Sequence, residues 1–232
     1  MPNLRCYFSL RSPYSWLSYL DLRDRYPELG DRLEWVPFWE PDEQSEAMLL
    51  DQGGRFHYAA MSRTKHLYVL QDVGRLAKQR GLTPRWPVDR APVWEIPHLA
   101  YLVAERHGRG AEYMAAAYRA RWEHGHDICD RATVRAVAVE IGLDGDELAA
   151  AGDDPELRRE GVRILLQADR DGVFGVPLFV HGRNRFWGLD RLSAFAQQAG
   201  AGEAPAIPAP DPAVVTVGSG TFSDHGHAGG CG

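Results

Sequence analysis

Leu4-Arg5-Cys6-Tyr7-Phe8, then Ser9-Leu10-Arg11, then Ser12-Pro13-Tyr14-Ser15-Trp16-Leu17-Ser18-Tyr19-Leu20, is the stretch that decides how this chain is read. The first five residues have strand character. Residues 13–25 read as a helix, with Pro13 in the first turn, where a backbone N–H is not needed. Tyr26-Pro27 closes that helix, and Leu33-Glu34-Trp35-Val36-Pro37 alternates as a second strand over 33–37, completing a β-α-β unit. A loop reading C-x-x-C between such a strand and helix would point to dithiol redox chemistry. Positions 12 and 15 are both serine. The sequence has the form of a site that holds a thiol without supplying one.

From about residue 43 to 171 the pattern is helical. His66, Leu67, Val69, Leu70, Val73, Leu76 and Ala77 keep helical spacing until Gly81, a C-terminal stop. Pro84, Pro87, Pro92 and Pro97 punctuate a loop. Further helices are expected over 97–107, 110–123, 131–142 (capped by Asp130) and 155–171 (opened by Asp154-Pro155). After Pro177, strands over 178–181 and 184–187 flank Gly182-Arg183, a hairpin signal, and a helix over 189–199 follows. This order fits an α/β chain whose thioredoxin-like sheet (1–42 and 172–199) is interrupted by an inserted all-helical subdomain (43–171). Residues 200–232, rich in Ala, Pro and Gly, are expected to form a flexible tail.

Composition narrows the function. A chain of 232 residues can bury a sizeable core. Its formal net charge of -6 and lack of a basic stripe argue against a nucleic-acid partner. No apolar run reaches the ~18 residues needed to cross a bilayer, and no signal peptide precedes the first strand, so a cytoplasmic protein without membrane contact is expected. Three cysteines, Cys6, Cys129 and Cys231, make no disulfide framework, and Cys6 is expected to be buried and inert. Only two lysines occur, Lys65 and Lys78, in a chain that otherwise uses arginine. His225, His227 and Cys231 have spacing compatible with a soft metal, but in a glycine-rich tail no metal site is assigned to them.

The motifs resemble the 2-hydroxychromene-2-carboxylate isomerase and kappa-class glutathione transferase family, a thioredoxin-fold group that also includes DsbA-like oxidoreductases. The resemblance covers about residues 4–196. Its most specific segment is Gly172-Val173-Phe174-Gly175-Val176-Pro177-Leu178-Phe179-Val180 with Phe186-Trp187-Gly188-Leu189-Asp190-Arg191-Leu192. Ser12-Pro13-Tyr14-Ser15 matches too, as do Lys65-x-x-Tyr68-x-x-x-Asp72-x-x-Arg75-x-Ala77-x-x-x-Gly81-Leu82 and Gly125-His126-Asp127-Ile128-Cys129-Asp130. The chain departs from the family at Ser9, where an aspartate is usual, at Arg11, and around Asp51–Gly54, where an asparagine-containing loop has no counterpart.

What the resemblance implies is an isomerase that uses glutathione or another low-molecular-weight thiol on an unsaturated or aromatic keto acid, by reversible thiolate addition. Ser12, at the start of the first helix, would donate a hydrogen bond to the cofactor sulfur; its plain alternative is an N-cap. Pro177 would be cis, with Val176 offering its backbone to a cysteinyl residue. Leu189 and Asp190 would bind the cofactor's amino end, and Asp190 could equally cap the last helix. Lys65 would pair with a cofactor carboxylate; its alternative is a solvated helix lysine. Arg11, Tyr14 and Trp39 are candidate substrate-pocket residues, with surface exposure the plainer expectation for Arg11. Trp35, Trp86, Trp94 and Trp122 could line the same pocket or the core. The resemblance also implies a homodimer and a small-molecule substrate. A kappa-like glutathione S-transferase and a non-catalytic binding protein on a DsbA-like scaffold are the alternatives; two serines in the motif disfavour a dithiol oxidase.

Overall fold

The computed structural model describes residues 4–57, 61–202, 205 and 207. Strand β1 (Leu4–Phe8) is buried except at Arg5 and forms the inside of a four-stranded sheet of order β2-β1-β3-β4. Helix α1 (Pro13–Arg25) starts at Ser12, whose Oγ accepts the Ser15 N–H at 3.2 Å, and ends with Arg23 and Arg25 in its last turn. The first helix stops at Tyr26-Pro27 as the sequence predicts, and Pro27 then opens one further turn, α2 (Pro27–Gly30), because a proline fits the first position of a helix. The chain then enters β2 (Glu34–Pro37), parallel to β1.

Helices follow, mostly opened by side-chain caps of the kind the sequence displays. They are α3 (Glu43–Asp51) capped by Asp42, α4 (Arg63–Gln79) capped by Ser62, α5 (Glu95–Arg106), α6 (Gly110–Tyr118), α7 (Arg131–Glu140) capped by Asp130, α8 (Gly145–Ala150) capped by Asp144, and α9 (Pro155–Arg170) capped by Asp154. The helix expected over 110–123 changes character: α6 stops at Tyr118, and Arg119–Glu123 form a π turn. The wider turn accompanies the burial of Arg121, which is held by an aspartate described below.

The chain returns through β3 (Leu178–His181) and β4 (Asn184–Trp187), an antiparallel hairpin, with β3 also antiparallel to β1. The helix expected over 189–199 divides into a 3-10 turn (Leu189–Arg191) and α10 (Leu192–Gln198). One hydrophobic cluster runs through sheet and helices alike. Phe8 of β1 meets Tyr101 of α5 edge-on at 5.2 Å, and Phe179 of β3 stacks on Phe195 of α10 at 5.1 Å. Apart from residues 200–202, 205 and 207, the expected tail lies outside the described residues, as do His225, His227 and Cys231.

Candidate functional site

Strand register brings four separate loops to one edge of the sheet. Phe8 pairs with Pro37, so residues 9–12 and 38–40 leave the sheet side by side. Tyr7 pairs with Leu178, so Val176-Pro177 enters β3 at that same edge, and Leu178 pairs with Trp187, so Gly188–Asp190 leaves β4 there. The sequence-predicted Ser12, Val176, Pro177, Leu189 and Asp190, up to 178 positions apart by residue number, are thus brought to one edge.

Ser12 is fully buried at the cap of α1. Its acceptance of the Ser15 N–H uses a lone pair, so donation of its own proton is the hydroxyl's second capacity. The loop before it is tightly bonded. Ser9 N–H donates to Ser15 Oγ at 3.3 Å, Arg11 N–H to Ser9 Oγ at 3.3 Å, and Ser12 N–H to the Ser9 carbonyl at 3.1 Å. Leu10 N–H donates to His98 Nε2 at 3.1 Å. In the first turn of α1, Pro13 has no N–H, Ser15 N–H is taken, and Trp16 N–H donates to the Ser12 carbonyl at 3.1 Å. Tyr14 N–H is the one first-turn donor without a partner among the described residues. The positive end of the helix dipole is therefore concentrated on one backbone donor beside the Ser12 hydroxyl. Because Ser12 has no exposed surface, a ligand reaches it only when a covering group moves.

Arg11 is not a surface arginine: it is 7% exposed, its Nη1 meets Glu40 Oε2 at 2.6 Å, and its guanidinium lies 4.9 Å from the Trp94 ring centroid. Arg121 also faces Trp94, at 5.2 Å, and Trp122 at 4.9 Å, and makes two 2.8 Å hydrogen bonds to Asp89 with both side chains wholly buried. The wall behind the Ser12 loop thus holds two arginines, each matched by a carboxylate. Trp39 is buried, stacked on His98 with centroids 5.2 Å apart and planes 15° apart, and packed where Gly161 lacks a Cβ. Trp94 and Trp122 are core residues as well, while Trp35 and Trp86 are partly buried.

Tyr14 is half-buried, and its hydroxyl donates to Asp72 Oδ2 at 2.8 Å. Burial first, and then the Asp72 carboxylate, push the phenol's pKa up, so Tyr14 serves as a donor and not as an acid. That bond ties the first turn of α1 to α4. Lys65 stands seven residues before Asp72 on the same helix, two turns away on a shared face and about 10 Å along the axis. Lys65 is exposed.

The Val176-Pro177 peptide is cis. Val176 is fully buried, yet its N–H and C=O form no hydrogen bond among the described residues. Buried backbone groups are nearly always paired, so this donor and acceptor are open to the polar groups of a ligand at this end of the sheet. Across the hairpin, Gly188 N–H donates to the Pro177 carbonyl at 2.9 Å. Gly188 has φ +99°, a conformation that favours glycine; a Cβ there would also meet Asp190 Oδ1 at 2.7 Å, a contact that this exposed side chain can relieve by turning away. The Asp190 side chain is 73% exposed and makes no cap hydrogen bond; its neighbour is Arg191 Nη1 at 3.4 Å. Phe174 and Trp187, both exposed, meet at 4.9 Å beside this segment.

Cys6 and Cys129 are buried, and burial raises both thiol pKa values far from the thiolate range. Neither is a nucleophile. Among the described residues no three His, Cys, Asp or Glu side chains gather as metal ligands, and no helix is long and apolar enough to cross a membrane. His98, Glu40, Asp89 and Arg121 escaped sequence reasoning, since each acts through a partner distant in sequence.

Comparison with known proteins gives a consistent picture. The family model for the DSBA-like thioredoxin domain matches residues 3–200. A curated protein of Sphingobium xenophagum, 2-hydroxychromene-2-carboxylate isomerase, is 28% identical over 187 residues, which cover 80% of this chain and 92% of the relative. A solved structure of a 2-hydroxychromene-2-carboxylate isomerase superposes with a TM-score of 0.66 at 19% identity, covering 85% of this chain and 94% of the other. The cytosolic disulfide reductase DsbM from Pseudomonas aeruginosa, solved with GSH, superposes with a TM-score of 0.56 at 20% identity, covering 85% and 98%. At these identities the two structures establish a common fold.

Proposed function

The chain belongs to the DSBA-like thioredoxin domain family, and on that premise we propose that it is an isomerase of an unsaturated or aromatic keto acid, using glutathione or another low-molecular-weight thiol. One observation carries the proposal: serine, not cysteine, caps α1, on the same sheet edge as a buried Val176 with an unpaired backbone donor and acceptor. Such an edge holds a thiol without reacting as one. The sequence relative in Sphingobium xenophagum, an isomerase of a chromene carboxylate, supports the reaction class.

When bound, the thiol supplies a nucleophile that adds reversibly to a conjugated carbon, so that a double bond becomes a single bond and the substrate can rotate or open a ring. The protein's part is positional and electrostatic. Ser12 donates its proton toward the sulfur, and Tyr14 N–H, at the positive end of α1, favours the thiolate over the thiol. The Val176 N–H and C=O pair with the cysteinyl backbone. Lys65 and Asp190, both exposed, take a carboxylate and the amino group at the two ends of a tripeptide such as glutathione. Leu189 packs beside the latter. A cytoplasmic homodimer acting on a small molecule belongs to the same proposal.

Ser12→Ala tests it. Loss of the cap costs about 1 kcal/mol of stability, which leaves a folded protein. Thiol-dependent ring opening of 2-hydroxychromene-2-carboxylate, followed by absorbance, should slow at least tenfold, or about 1.4 kcal/mol of barrier. Unchanged turnover would remove Ser12 from the mechanism, and calorimetry showing no glutathione binding to the parent would remove that thiol.

A further inference from the structure

We propose that His98 is a positioning residue for the Ser12 loop, acting as a neutral hydrogen-bond acceptor that holds Ser9, Leu10 and Arg11 in the conformation that presents Ser12 at the start of α1. The proposal deepens the thiol-site function and rests on it only for its biological use. The geometry stands by itself.

His98 lies on α5 and is fully buried. Its Nδ1 is 2.7 Å from the Trp94 carbonyl, and its Nε2 is 3.1 Å from Leu10 N and 3.3 Å from Ser9 Oγ. Only one protonation state satisfies all three contacts. Leu10 N–H can only donate, so Nε2 must present its lone pair. The ring proton is then on Nδ1, where the Trp94 carbonyl accepts it. Ser9 consequently donates its hydroxyl proton to Nε2, which frees its oxygen to accept the Arg11 N–H at 3.3 Å. One imidazole lone pair therefore orders three successive residues. The order reaches Ser12 through the Ser9 carbonyl, which accepts Ser12 N–H at 3.1 Å and the Tyr118 hydroxyl at 3.1 Å. The ring itself has no freedom, being stacked on Trp39.

A buried histidine that merely fills space would be replaceable by any ring of its size. A positioning histidine would not, because removing Nε2 leaves Leu10 N–H buried and unpaired and lets the loop shift. Stabilisation of an anion at a helix start falls off within one turn, so a small shift is felt by whatever sits at position 12.

The test uses the full chain carrying Ser12→Cys, with the introduced thiol as reporter. Its pKa is read from thiolate absorbance at 240 nm against pH, after subtraction of the parent chain, which requires neither substrate nor reagent access. Adding His98→Phe should raise that pKa by about one unit relative to Ser12→Cys alone, a tenfold loss of thiolate stabilisation. Adding His98→Gln, whose amide oxygen can reach the Nε2 position, should restore most of it. His98→Asn, which reaches only the Nδ1 position, should not. Equal pKa values in the Phe and Gln variants, or equal effects of Gln and Asn, would overturn the proposal. Should His98→Phe fail to fold by circular dichroism, Ser9→Ala in the Ser12→Cys chain decides: an upward shift supports the relay and no shift overturns it. Loss of thiol-dependent turnover in the parent would refute the isomerase function while leaving these pKa differences intact, so the two failures are distinguishable.

Discussion

Asp89→Asn should be among the most damaging single-atom changes in this protein. Asp89 and Arg121 are wholly buried and joined by two hydrogen bonds of 2.8 Å. Asparagine keeps the shape and one acceptor oxygen. It also turns the second oxygen into an NH2 facing a guanidinium N–H, donor against donor, and removes the charge that balances Arg121. The rings of Trp94 and Trp122, at 5.2 and 4.9 Å, attract the guanidinium before and after the change, so they do not offset the difference. Breaking a buried pair by removing one partner costs about 3–5 kcal/mol, and the surviving acceptor places Asn near about 3. For a chain of this size that corresponds to a fall in Tm of roughly 6–12 °C. Thermal unfolding followed by circular dichroism measures it. The control is the double variant Asp89→Leu with Arg121→Met, which buries no charge and should recover much of the loss. A fall of less than 2 °C for Asn, or a double variant worse than the single, would refute the view that the unbalanced guanidinium sets the cost.

Gly161→Ala in α9 sets two magnitudes against each other. Alanine gains about 1 kcal/mol of helix propensity over glycine, but its Cβ would lie 2.9 Å from Leu99 Cδ2 and 3.0 Å from the Trp39 ring, and overpacking costs about 1–3 kcal/mol. Urea unfolding should show no stabilisation; a gain of a full kcal/mol would mean the core yields. His98 gives a pH signature. Burial, with Arg121 and Arg11 adding to it, pushes its pKa from the ordinary 6.5 down to about 3. Below pH 6.5 the unfolded chain binds a proton that the folded chain refuses, so this contribution is complete above 6.5 and is lost as pH falls toward 3. Between pH 7 and 5 it amounts to about 2 kcal/mol. The parent should lose that much more stability than His98→Gln over the interval; parallel curves would show that the imidazole is charged in the folded state.

Local signals are legible in the sequence because their causes are local. Ser12, Asp130 and Asp154 cap helices through bonds to N–H groups two or three residues on, and Gly182-Arg183 turns a hairpin by its own conformation. Sequence and structure part where a distant partner intervenes. Arg11 looked like a surface residue until Glu40, 29 positions away, was placed against it. The helix through 123 was correctly periodic but ended in a π turn at the residue Asp89 claims, 32 positions away. Trp39 owes its burial to partners far away in sequence, His98 stacked on it and Gly161 beneath it.

The order of elements, a β-α-β unit, a long helical block, then a Val-Pro segment leading into a hairpin, was enough for the sequence by itself to determine the fold class, and serines at 12 and 15 to disfavour dithiol chemistry at the start of α1, since both conclusions depend on residue type and short-range order. Only the tertiary structure decided that one N–H of α1 remains unpaired, that Ser12 and Val176 are closed from solvent, and that a neutral histidine 88 positions from Leu10 holds the loop between them. Those properties follow from which groups compete for each donor and acceptor, and that competition exists only once the sheet edge, α1 and α5 are packed together.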